Sequence, residues 1–321
     1  MTERVALGVD LGGTKIYSIV ADSEGRLLAT DFRYTEAADG PQAVIDRVVA
    51  SLRDALAQSG RTVSDLAGVG ISTPGPCDPS RGLVTDAPNL PGFHNVPLAR
   101  LVGEALGLPT VLENDANAAC YGEYRFGAGK GFRHILYVTL GTGIGGGIMI
   151  DGKVYWGASG AAGEVGHIII DQDGPPCNCG ARGCLEALAS GPAIARAAEA
   201  ELAAGRSPKL AELSHGEPLS AKLVHEAALA GDQAAREVIE VAGHQLGLGL
   251  TGLLNCFNPE CLILGGGLTA LGDMYLGPAL ETARSLAFEQ VVADVTISLA
   301  NLGDAAGALG AAALMMDTSP Q

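Results

Sequence analysis

The sequence predicts an α/β protein of two paired domains, with a metal-held loop in the second. Three observations carry that expectation. A short apolar strand, a glycine turn with threonine (DLGGTK, residues 10–15) and a second strand open the chain. The same pattern returns about 130 residues later as LGTGIGGG, residues 140–147, which suggests a duplicated domain. Residues 164–186, EVGHIIIDQDGPPCNCGARGCLE, carry His167, Cys177, Cys179 and Cys184 at a spacing suited to one metal ion. At 321 residues, two domains are expected over one.

Residues 5–9 are an apolar strand leading into DLGGTK, whose backbone N–H groups are able to cradle phosphate oxygens. The spacing is not that of a Walker loop. Residues 16–20 read as the second strand, and DSEG (22–25) as a turn into residues 26–30. A helix over 41–59 carries the stripe Val44, Ile45, Val48, Val49, Leu52 and Leu56 between Pro41 and Gly60. Residues 68–72 are a buried strand entering the loop TPGPCDP. In the following loop, APNLPGF (87–93), Asn89 is a polar contact or a turn former. A short helix spans 97–106 and a strand 110–112. ENDANAA (113–119) then marks a strand-to-helix junction, with the helix continuing through Tyr124. Residues 135–140 and 148–150 are strands flanking a glycine turn at 141–147, and DGK (151–153) is a turn.

Beyond the cysteines the chain reads as mainly helical. Ser190 with Pro192, and Ser220, start helices. A long helix over 232–257 is broken by Asn258 and Pro259. A buried strand at 261–264 ends in GGG, residues 265–267; a helix (272–287) and a strand (295–299) follow. Residues 301–314 form a small-residue helix suited to close packing across a domain interface.

Three cysteines and a histidine fit a closed tetrahedral zinc site, and Gly180 and Gly183 let the loop bend its thiolates onto one ion. A disulfide or buried free thiols are the other uses. Nothing points to an oxidising compartment, and this spacing favours metal in a cytosolic protein. A closed site has no open position for catalysis, so the metal holds the loop and the loop holds Glu164, His167 and Glu186 against a ligand. The other four cysteines, Cys77, Cys120, Cys256 and Cys261, are expected to be core thiols. At the ENDANAA junction, Asn114 and Asp115 suit a helix cap and a first-turn acid, or a pair of ligand-facing groups.

With 47% hydrophobic residues the chain is able to bury a sizeable core. A formal charge of −16 argues against a nucleic-acid face. Asp10 interrupts any apolar leader, and the longest apolar run, 305–316, is too short to span a bilayer. The expectation is a cytoplasmic protein with no membrane or nucleic-acid partner.

DLGGTK, ENDANAA, LGTGIGGG, EVGH, CNCGARGCLE and LILGGG, in that order, resemble the ROK family of bacterial sugar kinases. The resemblance covers nearly the whole chain, and CNCGARGCLE is its most specific motif. It implies a two-lobed actin-like ATPase (ribonuclease H-like) fold with a zinc-stabilised loop. The lobes would be residues 1–116 with 304–321, and 117–303. By this resemblance Asp115 is the general base. Asn114, Glu164, His167 and Glu186 bind the sugar, and Asn89 and Gly75 are further sugar contacts. Asp10, Gly12, Gly13, Thr14 and Lys15 serve phosphate, with Mg²⁺ at Asp10. Thr142 and Gly143 reach the phosphates from the other lobe, and Gly265, Gly266 and Gly267 lie along the adenosine. His167, Cys177, Cys179 and Cys184 hold zinc. Homo-oligomers, dimers or tetramers, are implied.

Residues 113–129 look similar to bacterial glucokinases, implying ATP-dependent phosphorylation of the glucose 6-hydroxyl. An N-acetylhexosamine kinase (N-acetylglucosamine or N-acetylmannosamine) uses the same residues, and a fructokinase is a weaker reading. A sugar-sensing repressor of the family carries an N-terminal helix-turn-helix, for which a phosphate turn beginning at Asp10 leaves no room. Actin-like filament or chaperone ATPases have no use for a zinc-held sugar loop.

Overall fold

The computed structural model describes residues 4–318. These fall into two compact units. The first runs to Ile135, takes in Gly147–Gly163 and resumes at Ala300; the second comprises Leu136–Gly146 and Glu164–Leu299.

In chain order the first unit begins with strands β1 (Val5–Leu11), β2 (Lys15–Asp22) and β3 (Leu27–Tyr34). Helix α1 (Pro41–Ser59) and strand β4 (Leu66–Thr73) follow. A small antiparallel sheet of β5 (Cys77–Asp78), β6 (Leu83–Asp86) and β7 (His94–Val96) interrupts the pattern. Helix α2 (Leu98–Leu106), strand β8 (Thr110–Asn114) and helix α3 (Asp115–Phe126) complete this stretch. The main sheet runs β3-β2-β1-β4-β8. Its hairpin strands are antiparallel, whereas β4 pairs in parallel with both β1 and β8. Helices α1 and α2 cover one face, burying Val5, Leu7, Val9, Val48, Leu52 and Val102.

The next strands are β9 (Ile135–Leu140), β10 (Ile144–Ile150) and β11 (Lys153–Val154). Helices α4 (Leu185–Ala189), α5 (Gly191–Ala203), α6 (Pro208–Ser214), α7 (Ala221–Leu229) and α8 (Gln233–Phe257) follow. Then come β12 (Cys261–Gly265), α9 (Asp273–Leu286), α10 (Glu289–Asp294), β13 (Thr296–Leu299) and α11 (Ala306–Thr318). The second main sheet runs β11-β10-β9-β12-β13. This is the strand order of the first sheet, third-second-first-fourth-fifth, so the repeat read from the glycine turns is a repeat of topology.

Helix α11 returns to the first unit and buries residues on every side, Ala306 to Ala313 with Met315 and Met316. A helix apolar all round belongs in a core. It lies against β1, β4 and α3 at close range: a Cβ on Gly70 would stand 1.9 Å from Ala311 O, and one on Gly310 would stand 1.7 Å from Ala118 O.

Four expectations are corrected. The glycines at 145–147 are strand, not turn: β10 begins at Ile144, and a Cβ on Gly147 would meet Cys120 Cβ at 2.4 Å, so this glycine admits α3. The last helix begins at Ala306, not at 301. Asn301 and Leu302 donate their N–H groups to Glu123 Oε1, both at 2.9 Å, which holds that segment out of the helix. The small sheet of β5 to β7 and the short helices α4, α6 and α10 lack the length that makes periodicity visible. Cys77, Cys120 and Cys261 are buried as expected, but Cys256 is exposed near the end of α8. No helix among the described residues is long and apolar enough to cross a membrane.

Candidate active site and metal centre

In the first unit, Asp10 stands at the end of β1, opposite Ser72 of β4. Ser72 Oγ donates to Asp10 Oδ1 at 2.6 Å. Burial pushes the Asp10 carboxyl above the ordinary carboxylate value; the Ser72 hydrogen bond and the Lys15 charge pull the other way. A buried carboxylate at a phosphate-type turn is the donor expected for a hard divalent cation. The turn is closed by Gly12 N–H donating to Lys15 O at 2.8 Å, and by Thr35 Oγ1 donating to Gly12 O at 2.7 Å. Lys15 Nζ lies 3.2 Å from Asp304 Oδ1. Asn89 seals the side of the turn: a Cβ on Gly13 would stand 2.8 Å from Asn89 O. Leu90 and Phe93, both fully buried, anchor the Asn89 loop.

The β8–α3 junction holds Asn114 and Asp115. Asn114 caps α3, its Oδ1 accepting from Ala116 N at 3.0 Å and from Asn117 N at 3.3 Å, while Nδ2 donates to Gly75 O at 3.3 Å. Asn114 and Gly75, both expected at the sugar, are thus tied to each other. Asp115 is exposed at the first helical position and accepts from Ala116 N at 2.8 Å.

Glu113 is not legible from its residue type, because a glutamate ending a strand carries no signal by itself. It is 2% exposed. Its carboxylate accepts from Asn114 N at 2.9 Å, Asn117 Nδ2 at 3.1 Å and Trp156 Nε1 at 2.7 Å. Burial raises its pKa against the pull of these three donors. Glu113 therefore locks the strand-to-helix junction and pins the only tryptophan to it.

In the second unit the turn after β9 is closed by Gly141 N–H donating to Gly143 O at 2.9 Å, with Thr142 at its tip. A second glycine turn lies beside it. Gly265 ends β12, and a Cβ on Gly266 would stand 2.3 Å from Leu140 O, so the ends of neighbouring strands β9 and β12 meet. Thr142, Gly143 and Gly265–267 thus share one edge of the sheet. Crevices outside the carboxyl ends of strands are where ligands bind in open α/β sheets.

Glu164 opens a short 3₁₀ turn, Val165–His167, that places His167 Nε2 4.0 Å from Glu164 Oε2. The other ring nitrogen, Nδ1, lies 3.7 Å from Cys177 Sγ. Cys179 Sγ and Cys184 Sγ are 3.6 Å apart, and the four ligand atoms lie within 4.8 Å of one another. Zinc–sulfur bonds of about 2.3 Å in a tetrahedron place ligand atoms about 3.8 Å apart, so this set fits a zinc-sized ion. The backbone is built for it. Cys177 N–H donates to Ala181 O at 2.8 Å, and Gly180, at φ +94°, donates to Cys177 O at 3.0 Å. Cys184 is buried and precedes α4, whose first turn carries Glu186. Burial pushes the Cys184 thiol up to about 12 in the absence of a cation, and a coordinated cation reverses that preference.

The ROK family model matches residues 6–318. The chain belongs to the ROK family. Within it, the chain is 38% identical to a glucokinase of Streptomyces coelicolor over 98% of this chain and 99% of that one. It is 36% identical to a glucokinase of Thermotoga maritima over 97% of each. A crystal structure of a ROK glucokinase from Streptomyces griseus in complex with glucose and AMPPNP superposes with a TM-score of 0.82, at 38% identity, over 97% of this chain and 98% of that one. The ROK fold here is an actin-like α/β kinase fold with mixed sheets. Its motifs divide between the units: Asp10 to Lys15, Gly75, Asn89, Asn114 and Asp115 lie in the first, and Thr142, Gly143, Glu164, His167, Glu186, the cysteine cluster and Gly265–267 lie in the second.

Proposed function

We propose that this chain is a glucokinase that transfers the γ-phosphoryl group of ATP to the glucose 6-hydroxyl. It is a sugar kinase of the ROK family, and relatives of 36–38% identity along their whole length are glucokinases. The observation that carries the mechanism is at the β8–α3 junction. Asn114 caps α3, and Asp115 stands exposed beside it at the first helical position, where it serves as the proton acceptor of this reading.

In phosphoryl transfer the protein positions the acceptor, neutralises spreading charge and accepts a proton. Asp115 takes the proton of the 6-hydroxyl as its oxygen attacks the γ-phosphorus, and the bond to the ADP oxygen breaks. Glu164, Glu186 and His167 Nε2 hold the other sugar hydroxyls, each carboxylate accepting a charge-assisted hydrogen bond. Asn89, Gly75 and Asn114 shape the sugar side of the first unit. Backbone N–H groups of the Gly12–Thr14 and Gly141–Gly143 turns receive phosphate oxygens, and Gly265–267 border the adenosine. Asp10 would hold Mg²⁺, which neutralises phosphate charge when bound. His167 Nδ1, Cys177, Cys179 and Cys184 would hold zinc, which supplies rigidity to the loop and no open coordination position. A two-lobed arrangement belongs to this reading, as does a homo-oligomeric state.

The test is a coupled phosphorylation assay across glucose, mannose, N-acetylglucosamine, N-acetylmannosamine and fructose. The highest kcat/KM is expected for glucose with ATP. A preference for an N-acetylated sugar would reassign the chain to the N-acetylhexosamine kinases, and no turnover of any sugar would remove the kinase reading.

A further inference from the structure

We propose that Glu186 is a positioning residue for the nucleotide as well as a sugar contact, so that the metal-held loop sets the shape of the phosphate turn. This rests on the kinase reading above and extends it from the sugar side to the phosphate side.

Three contacts within the second unit converge on the turn. Glu186 Oε2 accepts the N–H of Ile144, the residue that leaves the turn, at 2.9 Å. Gly191, at the start of α5, donates its N–H to Gly141 O at 2.9 Å, at the turn's other end. Gly166, in the EVGH turn beside His167, packs flat on the carbonyl of Ile144, where a Cβ would stand 2.1 Å from the oxygen. Both backbone polar groups of Ile144 thus face segments that flank metal ligands: Glu186 follows Cys184, and Gly166 precedes His167. Gly143 has no side chain where Glu186 arrives, since a Cβ there would be 2.5 Å from Glu186 Oε2. The turn has been left open for this carboxylate.

The chemistry of one carboxylate allows both roles. Oε2 is committed to Ile144 N–H, and Oε1 remains for a sugar hydroxyl. A hydrogen bond to a carboxylate is among the stronger kinds, and it fixes the direction of the N–H groups that a phosphate must meet. Sugar binding at Oε1 therefore acts on a group already holding the phosphate turn, which couples the two substrates through one side chain.

The experiment separates the two oxygens. Glu186→Gln keeps an acceptor for Ile144 N–H but offers the sugar a weaker partner; Glu186→Ala removes both. Calorimetric titration of Mg²⁺–AMPPNP into sugar-free, metal-loaded protein measures the nucleotide side alone, and glucose titration measures the other. Glucose affinity is expected to fall in both variants. Nucleotide affinity is expected to stay within about twofold in Glu186→Gln and to fall roughly tenfold in Glu186→Ala, about the worth of one hydrogen bond. Metal content and thermal midpoint are measured on each variant. Should Glu186→Ala lose its metal or its fold, Gly143→Ala applies the same displacement from the turn, and nucleotide affinity must fall there too. Wild-type nucleotide affinity in the folded Glu186→Ala protein, or equal losses in the glutamine and alanine variants, would overturn the coupling while leaving the kinase reading intact. Wild-type protein that binds no nucleotide removes the kinase reading and this inference with it.

Discussion

The two glycine turns occupy the same place in two sheets of the same strand order, yet they are held in different ways. The turn at Gly12–Thr14 leans on the backbone carbonyl and Cβ of Asn89, and the strand that enters it carries a buried carboxylate, Asp10, braced by Ser72. The turn at Gly141–Gly143 has Leu140 where the first has Leu11, no acid in the strand end, and a carboxylate arriving from outside on α4. The turn occurs twice, and the carboxylate near each copy comes from a different source: its own strand in the first, the helix after the cysteine loop in the second. A main-chain wall is rigid and tolerates no added atom, whereas a side-chain wall moves and can transmit what it binds.

Under the proposed function, proton and cation handling fall to the first unit and ligand-loop control to the second. The largest expected effect tests the first assignment. Asp115→Asn keeps size and polarity but removes the base, so kcat should fall by about two to four orders of magnitude. Glucose affinity should change little, since the amide oxygen still accepts a hydrogen bond. Near-wild-type turnover in folded Asp115→Asn would end the base assignment.

Next in size is the metal. One zinc per chain is expected by elemental analysis, and none after Cys179→Ser with Cys184→Ser. The double variant should lose glucose binding and become prone to proteolysis within the 164–186 loop, because the short bridges at Ile169–Cys184 and Pro176–Arg182 are too few to hold it alone. A metal-free wild type with full glucose affinity would make the cluster incidental.

The glycines sharpen the comparison directly. Gly13→Ala presses a methyl on main-chain atoms of Asn89 and should cost about 1–3 kcal/mol of stability, read by denaturant melts. Gly143→Ala presses only on the end of the Glu186 side chain and should cost less than about 1 kcal/mol. Equal costs would mean that the two walls are equally rigid.

The smallest effect is one of pH. Asp10 titrates above the ordinary value in the fold because it is buried. A raised folded pKa contributes stability that is full below the unfolded value and is lost as pH rises through the folded value. Ser72 opposes the rise, so Ser72→Ala should raise it further and move the acid limb of the pH–rate profile to higher pH. An acid limb that stays in place would mean that Asp10 does not set it.

The chain alone determined a good deal of this protein. Local chemistry with a short period is legible in one dimension: the glycine turns, the Pro41–Gly60 helix with its apolar stripe, the cap at Asn114, and the ligand spacing from His167 to Cys184. All depend on residues close in sequence, whose geometry the backbone itself constrains. What only the tertiary structure decided are the meetings of distant residues. Glu113 reads as an unremarked strand end until Trp156 donates to it. Glycines 145–147 read as a turn until α3 packs on Gly147. The last helix reads as beginning at 301 until Glu123 captures two N–H groups ahead of it. Glu186 reads as a sugar carboxylate until its second oxygen is found on Ile144. A buried polar group must find a partner wherever the fold brings one, and no spacing in the sequence records which one it will be.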